Sequence, residues 1–150
     1  MEREELRQWL EVCWGTELFE KFLFAYNCEN RRLNCLSYWQ EQLLQQFEAE
    51  TSFHLDQFDL THDEIFGICP VHRCQLLADE VPIRYGLLNH TPKMVELNRQ
   101  FPFANTHVSG GCEIQDEYQA AVVYCALCRD GLVTAQPPIH LKKSHPARKR

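Results

Sequence analysis

The chain has 150 residues, 45% of them hydrophobic, and a formal net charge of −6. This length suits one domain or two small packed units, with enough apolar side chains for a core. Residues 1–68 carry 14 acidic and 5 basic side chains, residues 69–139 carry 7 and 5, and residues 140–150 carry 5 basic and no acidic ones; an acidic body argues against general phosphate-backbone binding, which rests on Lys and Arg. No apolar run reaches the roughly 18 residues of a membrane-spanning helix. The opening MEREELRQWLEV is acidic and amphipathic, without the cationic and apolar regions of a secretory signal, so the expected location is the cytoplasm.

Residues 2–14 have the spacing of an amphipathic helix, with Leu6, Trp9, Leu10, Cys13 and Trp14 on one face. Glu2, Glu4 and Glu5 suit the positive end of its dipole, and Gly15 ends it. A second helix is expected over about 17–27 from an N-cap at Thr16, with Leu18, Phe19, Phe22, Leu23 and Tyr26 inward. A third, over about 30–49, turns Leu33, Leu36, Trp39, Leu43 and Phe47 inward and Arg31, Arg32, Gln40, Glu41 and Gln45 outward. Together they predict a small antiparallel bundle whose stripe of Trp9, Trp14, Phe19, Phe22 and Trp39 forms core. Residues 51–59 read as a loop. Thr61 and Glu64 then have the spacing of a capping box, opening a short helix that stops near Gly67.

Beyond Gly67 the pattern changes. Val81 to Tyr85 has strand character, and Pro82 restricts it to an edge or a strand start. Thr91-Pro92 predicts an N-cap and a first-turn proline for a helix over 92–100, with Met94, Leu97 and Phe101 on one side. Residues 105–109 suggest a short strand ending at Gly110-Gly111, and 119–124 a second one. From Thr134 onward the prolines, lysines and arginines predict a disordered tail.

Eight cysteines without a secretory signal favour metal ligation over disulfides. Tetrahedral zinc takes four thiolate or imidazole ligands, commonly delivered as pairs two to four residues apart. Cys125-x-x-Cys128 is one such pair. The other half is Cys69-x-x-His72 or Cys69 with Cys74, and Pro70 helps fix the turn. The favoured set is Cys69, His72, Cys125 and Cys128, with Cys74 as the alternative to His72. Cys13, Cys28, Cys35 and Cys112 are expected as small core residues. Cys112 with His107 as base is a weaker candidate, a nucleophile pair for which no third orienting group is identifiable. His54 and His62 read as surface or capping residues. Glu113 and Asp130 are the nearest bases in sequence should a zinc position stay open. The zinc-deaminase and H-E-x-x-H signatures are absent.

CPVHRCQLLADEVPIRYGL, NTHVSGGCEI and VVYCALCRDG together resemble a zinc-ribbon pattern of uncharacterised bacterial proteins, C-P-x-[CH], V-P-I-x-Y-G, G-G-C and C-x-x-C, over residues 69–130. His72 replaces the second cysteine and Ala126 a frequent proline. The resemblance implies a ribbon-type fold with one structural zinc, and it carries over no catalytic residue. The expectation is therefore an α+β protein. A helical region, 1–67, packs on a zinc-ribbon-like antiparallel sheet, 68–133, that contains a helical insertion, and a basic tail follows over 134–150. Its expected role is a non-enzymatic protein-interaction module. The runner-up is a nucleic-acid-associated protein using the tail, and the third a zinc hydrolase.

Overall fold

The computed structural model describes residues 1–30, 35–86 and 90–136. It is an α+β fold in which a helical N-terminal half precedes a mixed three-stranded sheet and two further helices. Helices α1 (Arg3–Trp14), α2 (Thr16–Ala25), α3 (Tyr38–Thr51) and α4 (His62–Phe66) share one core. Leu10, Phe22, Leu23, Ile65 and Phe66 are wholly buried in it. The aromatic stripe is part of this core. Trp9 meets Phe47 edge-on at 5.0 Å and Trp14 lies 5.1 Å from Phe22.

Several helix ends follow from their capping chemistry. Glu2 and Glu5 close a capping box on α1, and Thr61 and Glu64 close one on α4. Gly15, at φ 81°, ends α1 and also caps α2, so Thr16 is the first residue of α2 and not its cap. Helix α2 continues through one π-helical turn, Tyr26–Asn30. The expected positions of Arg31, Arg32 and Leu33 lie outside the described residues. Helix α3 starts at Tyr38, well after the expected residue 30. Ser37 and Gln40 form its capping box, which sets the start. Gln40 also corrects the outward placement. It is fully buried, accepting from the Ser37 N–H at 3.0 Å and donating to the Phe22 carbonyl at 3.1 Å.

The sheet has the order β2-β1-β3, with β1 Leu77–Tyr85, β2 Val108–Gly111 and β3 Gln119–Tyr124. It is mixed, not antiparallel: β1 pairs antiparallel with β3 and parallel with β2. The parallel partner follows from the inserted helix α5 (Pro92–Gln100), which carries the chain back to the start of β1's second half. Pro82 therefore lies in the middle strand, contrary to the edge expectation. It is tolerated because the two pairings overlap little: β3 covers Leu77–Pro82 and β2 begins only at Ile83. Ile83 donates toward β3, to the Tyr118 carbonyl, so the imide nitrogen of Pro82 faces the side that β2 has not yet reached.

Helix α6 (Ala126–Ala135) is an element that the sequence pattern does not announce, and it takes Thr134 and Ala135 out of the expected tail. Residues 137–150 lie outside the described residues. A second core joins Cys69, Leu76, Leu97, Phe103, Ala104, Cys125, Cys128 and Leu132. Gly131 lets α6 approach Phe101, since a Cβ there would sit 2.2 Å from the ring. Among the described residues, no helix is long and apolar enough to cross a membrane.

Candidate metal centre

The first ligand loop is a closed knuckle. Ile68 and Gln75 form an isolated antiparallel bridge, and between them the Cys69 N–H donates to the Cys74 carbonyl and the Arg73 N–H to the Cys69 carbonyl, both at 2.8 Å. Arg73 turns the chain with φ 57°. Two arginines fasten this knuckle to the helical core. Arg7 of α1 donates to the carbonyls of Glu64 and Ile65, at the C-terminal end of α4, and to the Gln75 side chain at 3.0 Å. Arg73 reaches back to Glu11 and Glu20 at 2.9 and 3.2 Å and lies over the Phe19 ring. Asn27 adds donations to the carbonyls of Phe66 and Ile68, 3.0 and 3.2 Å away.

The second loop is a helix start. Cys125 caps α6, its sulfur accepting from the Cys128 N–H at 3.3 Å, while its own N–H donates to the Phe103 carbonyl. Arg129, one turn on, donates to the carbonyls of Ala104 and Asn105 at 2.7 and 3.0 Å and to the Asp79 carboxylate at 2.6 Å. Its guanidinium also lies 3.5 Å from the centroid of the Tyr124 ring. The two loops thus meet between the helical core and the sheet.

At the meeting point the ligand atoms of Cys69, His72, Cys125 and Cys128 all lie within 4.8 Å of one another. His72 Nδ1 is 3.3, 3.5 and 3.7 Å from the sulfurs of Cys128, Cys125 and Cys69, and the Cys69 and Cys128 sulfurs are 3.9 Å apart. Tetrahedral ligands 2.0–2.3 Å from a shared ion are separated by about 3.5–3.8 Å, so the spacing suits a single metal ion. The three cysteines are fully buried and His72 is half-buried. Cys74 stands beside this set, 3.3 Å from the Cys125 sulfur, and is not one of the four mutually close donors.

Burial pushes the Cys69 and Cys128 thiols up, and burial with the nearby Cys125 sulfur takes Cys74 to about 11. Burial also opposes ionisation of Cys125. The Cys128 N–H and the thiols of Cys74, Cys69 and Cys128 outweigh it, and Cys125 is held below the ordinary thiol value. Cys125 is therefore the thiol of this cluster that ionises most readily. A divalent ion bound here would supply the charge that lets the other sulfurs lose their protons.

Other expected candidates stand elsewhere. Cys13, Cys28, Cys35 and Cys112 are exposed rather than core. Cys13 is exposed in the last turn of α1 even though it follows Leu6 and Leu10 at helical spacing. His107 Nδ1 lies 3.2 Å from the Thr106 hydroxyl, and among the described residues no hydrogen bond joins it to Cys112. His54 is exposed near Glu48, and His62 is exposed on α4. Glu113 and Asp130 are exposed. Sequence reasoning missed Arg7, Arg73, Arg129 and Asn27, whose partners are main-chain carbonyls and carboxylates distant in the chain. The chain matches no protein-family profile, no curated protein and no solved structure.

Proposed function

We infer that this is a zinc-binding protein in which one zinc, held by Cys69, His72, Cys125 and Cys128, is structural, and that the protein works as a non-enzymatic interaction module. The carrying observation is the closed donor set: three buried sulfurs and one imidazole nitrogen converge on one point. Four N/S donors at tetrahedral spacing suit zinc, and a site with four protein ligands keeps no position for a substrate water. The C-P-x-H to C-x-x-C pattern over residues 69–130 supports a ribbon-type assignment for this region.

The V-P-I-x-Y-G segment is partly taken up by the fold, with Pro82 and Arg84 left exposed. Val81 is buried, and Tyr85 packs over Gly110 and donates to the Glu117 carbonyl. The acidic helical half offers a partner surface: Glu17, Glu41 and Glu50 are exposed on its helices, as are Val12 and Tyr38. A partner with a basic, partly apolar surface suits it.

Cys125→Ser tests the structural role. The expected result is lost zinc and a collapsed near-UV circular dichroism signal, with much of the helical far-UV signal retained. Zinc retention with an unchanged near-UV spectrum overturns the reading.

A further inference from the structure

The centre holds more sulfur than one metal needs. Cys74 closes the first knuckle through its carbonyl and sends its side chain to the same cluster, where its sulfur is 3.3 Å from that of Cys125. The Cys69 and Cys128 sulfurs, both in the ligand set, are 3.9 Å apart. Cys125 is fully buried and is a ligand, whereas Cys74 is half-buried and lies outside the four. A disulfide bond is about 2.05 Å long, so the pair must close by roughly 1.3 Å. The Cys74 side of this approach belongs to a short turn and the Cys125 side to a helix cap.

We propose that Cys74 and Cys125 form an oxidation site through which a peroxide opens the metal centre: a disulfide between them removes one of the four ligands and releases the ion. This rests on the metal reading above. The chemistry balances with a hydroperoxide as the oxidant. One sulfur of the pair attacks the peroxide oxygen, the O–O bond breaks, and a sulfenic acid and an alcohol (water, for hydrogen peroxide) result. The other sulfur then attacks the sulfenic sulfur, the S–O bond breaks, and water leaves with the remaining thiol proton. The Cys74 thiol and the Cys125 thiolate lose two electrons and one proton in all, the peroxide takes them, and solvent supplies the second proton needed to form the alcohol and water. Only Cys69, His72 and Cys128 then face the ion. A thiol reductant reverses the step and restores the fourth ligand.

The test uses the full chain loaded with zinc, in wild type and Cys74→Ala. Zinc per chain is measured first, then zinc release under hydrogen peroxide is followed with a chromogenic chelator, and disulfides are mapped by peptide mass spectrometry. The expected result is one zinc in both proteins, a Cys74–Cys125 cross-link in the wild type, and release slowed about tenfold or more in Cys74→Ala, which lacks the neighbouring thiol. Reduction should let the wild type take zinc up again. Equal release from both proteins, or a cross-link joining Cys69 to Cys128 instead, overturns the oxidation site and leaves the metal reading intact. Zinc lost from Cys74→Ala before any oxidant is added makes Cys74 a ligand and also overturns it. A wild-type chain that takes up no zinc overturns the metal reading and this proposal with it. The cross-link map of the wild type decides for or against the site even if the variant folds poorly.

Discussion

Arg7 is the side chain whose loss should be felt furthest from itself. It is almost wholly buried, and its guanidinium serves carbonyls of α4 and the side chain that closes the ligand knuckle. Methionine keeps the aliphatic stem but leaves those acceptors without donors, and each unmet buried group costs about 1–3 kcal/mol. Arg7→Met should therefore lower stability by roughly 3 kcal/mol, read as a shift in the urea midpoint. An unchanged midpoint would show that water replaces the guanidinium without cost. Arg129 makes a second such junction, and here pH reports on it. The Arg129 guanidinium, and after it the Glu80 N–H, hold the Asp79 carboxyl below its ordinary value of 3.8. A lowered carboxylate pKa contributes stability that is complete above the unfolded value and is lost as pH falls through the folded one. The gap in urea midpoint between wild type and Asp79→Asn should thus be constant at neutral pH and narrow below pH 3.8. A gap that widens on acidification contradicts the pairing.

Among the elements, α3 and α6 show where local pattern succeeds and fails. The hydrophobic spacing of Leu36, Trp39, Leu43 and Phe47 identifies the α3 helix but not its start, because the same spacing runs on upstream of the cap. Ser37 and Gln40 carry the boundary, and their spacing is legible in the sequence. Removing it by Ser37→Ala should cost about 1 kcal/mol, measured by thermal or urea unfolding. The α6 helix is hidden for a different reason. Its glycine reads as a loop residue by propensity, yet Gly131 is selected by packing against Phe101. Gly131→Ala sets two effects against each other. Alanine favours a helix by about 1 kcal/mol, and overpacking costs about 1–3 kcal/mol. With the new methyl 2.2 Å from an aromatic carbon, overpacking wins and the variant should be less stable. Phe101→Leu in the same chain should recover part of the loss, and a stabilised single variant would refute the packing argument. The sheet's parallel pair is illegible for a third reason. Which side of β1 the β2 segment takes depends on where α5 lays the chain, and neither strand's composition encodes that.

For the whole molecule, the chemistry is legible in the sequence and the fastening is not. Ligand spacing alone points to Cys69, His72, Cys125 and Cys128, and the fold brings these four together. Spacing cannot separate His72 from Cys74, because both fall within reach of one turn, and the pair's relation appears only when Cys74 is seen against Cys125. The contacts that tie the ligand knuckle to the acidic helices run from Arg7, Arg73 and Asn27 to partners 39 or more positions away, and no periodicity announces them. These ties join the two cores. On the proposed reading, a metal at the four donors would brace the second core, while the helical core has its own buried contacts. The structural role of the metal is tested most directly by metal stoichiometry on protein purified without added metal, followed by circular dichroism before and after chelation. The predicted result is one zinc per chain, and on its removal the loss of near-UV signal with much of the helix retained. No zinc, or a zinc that leaves without any change in structure, would contradict that role.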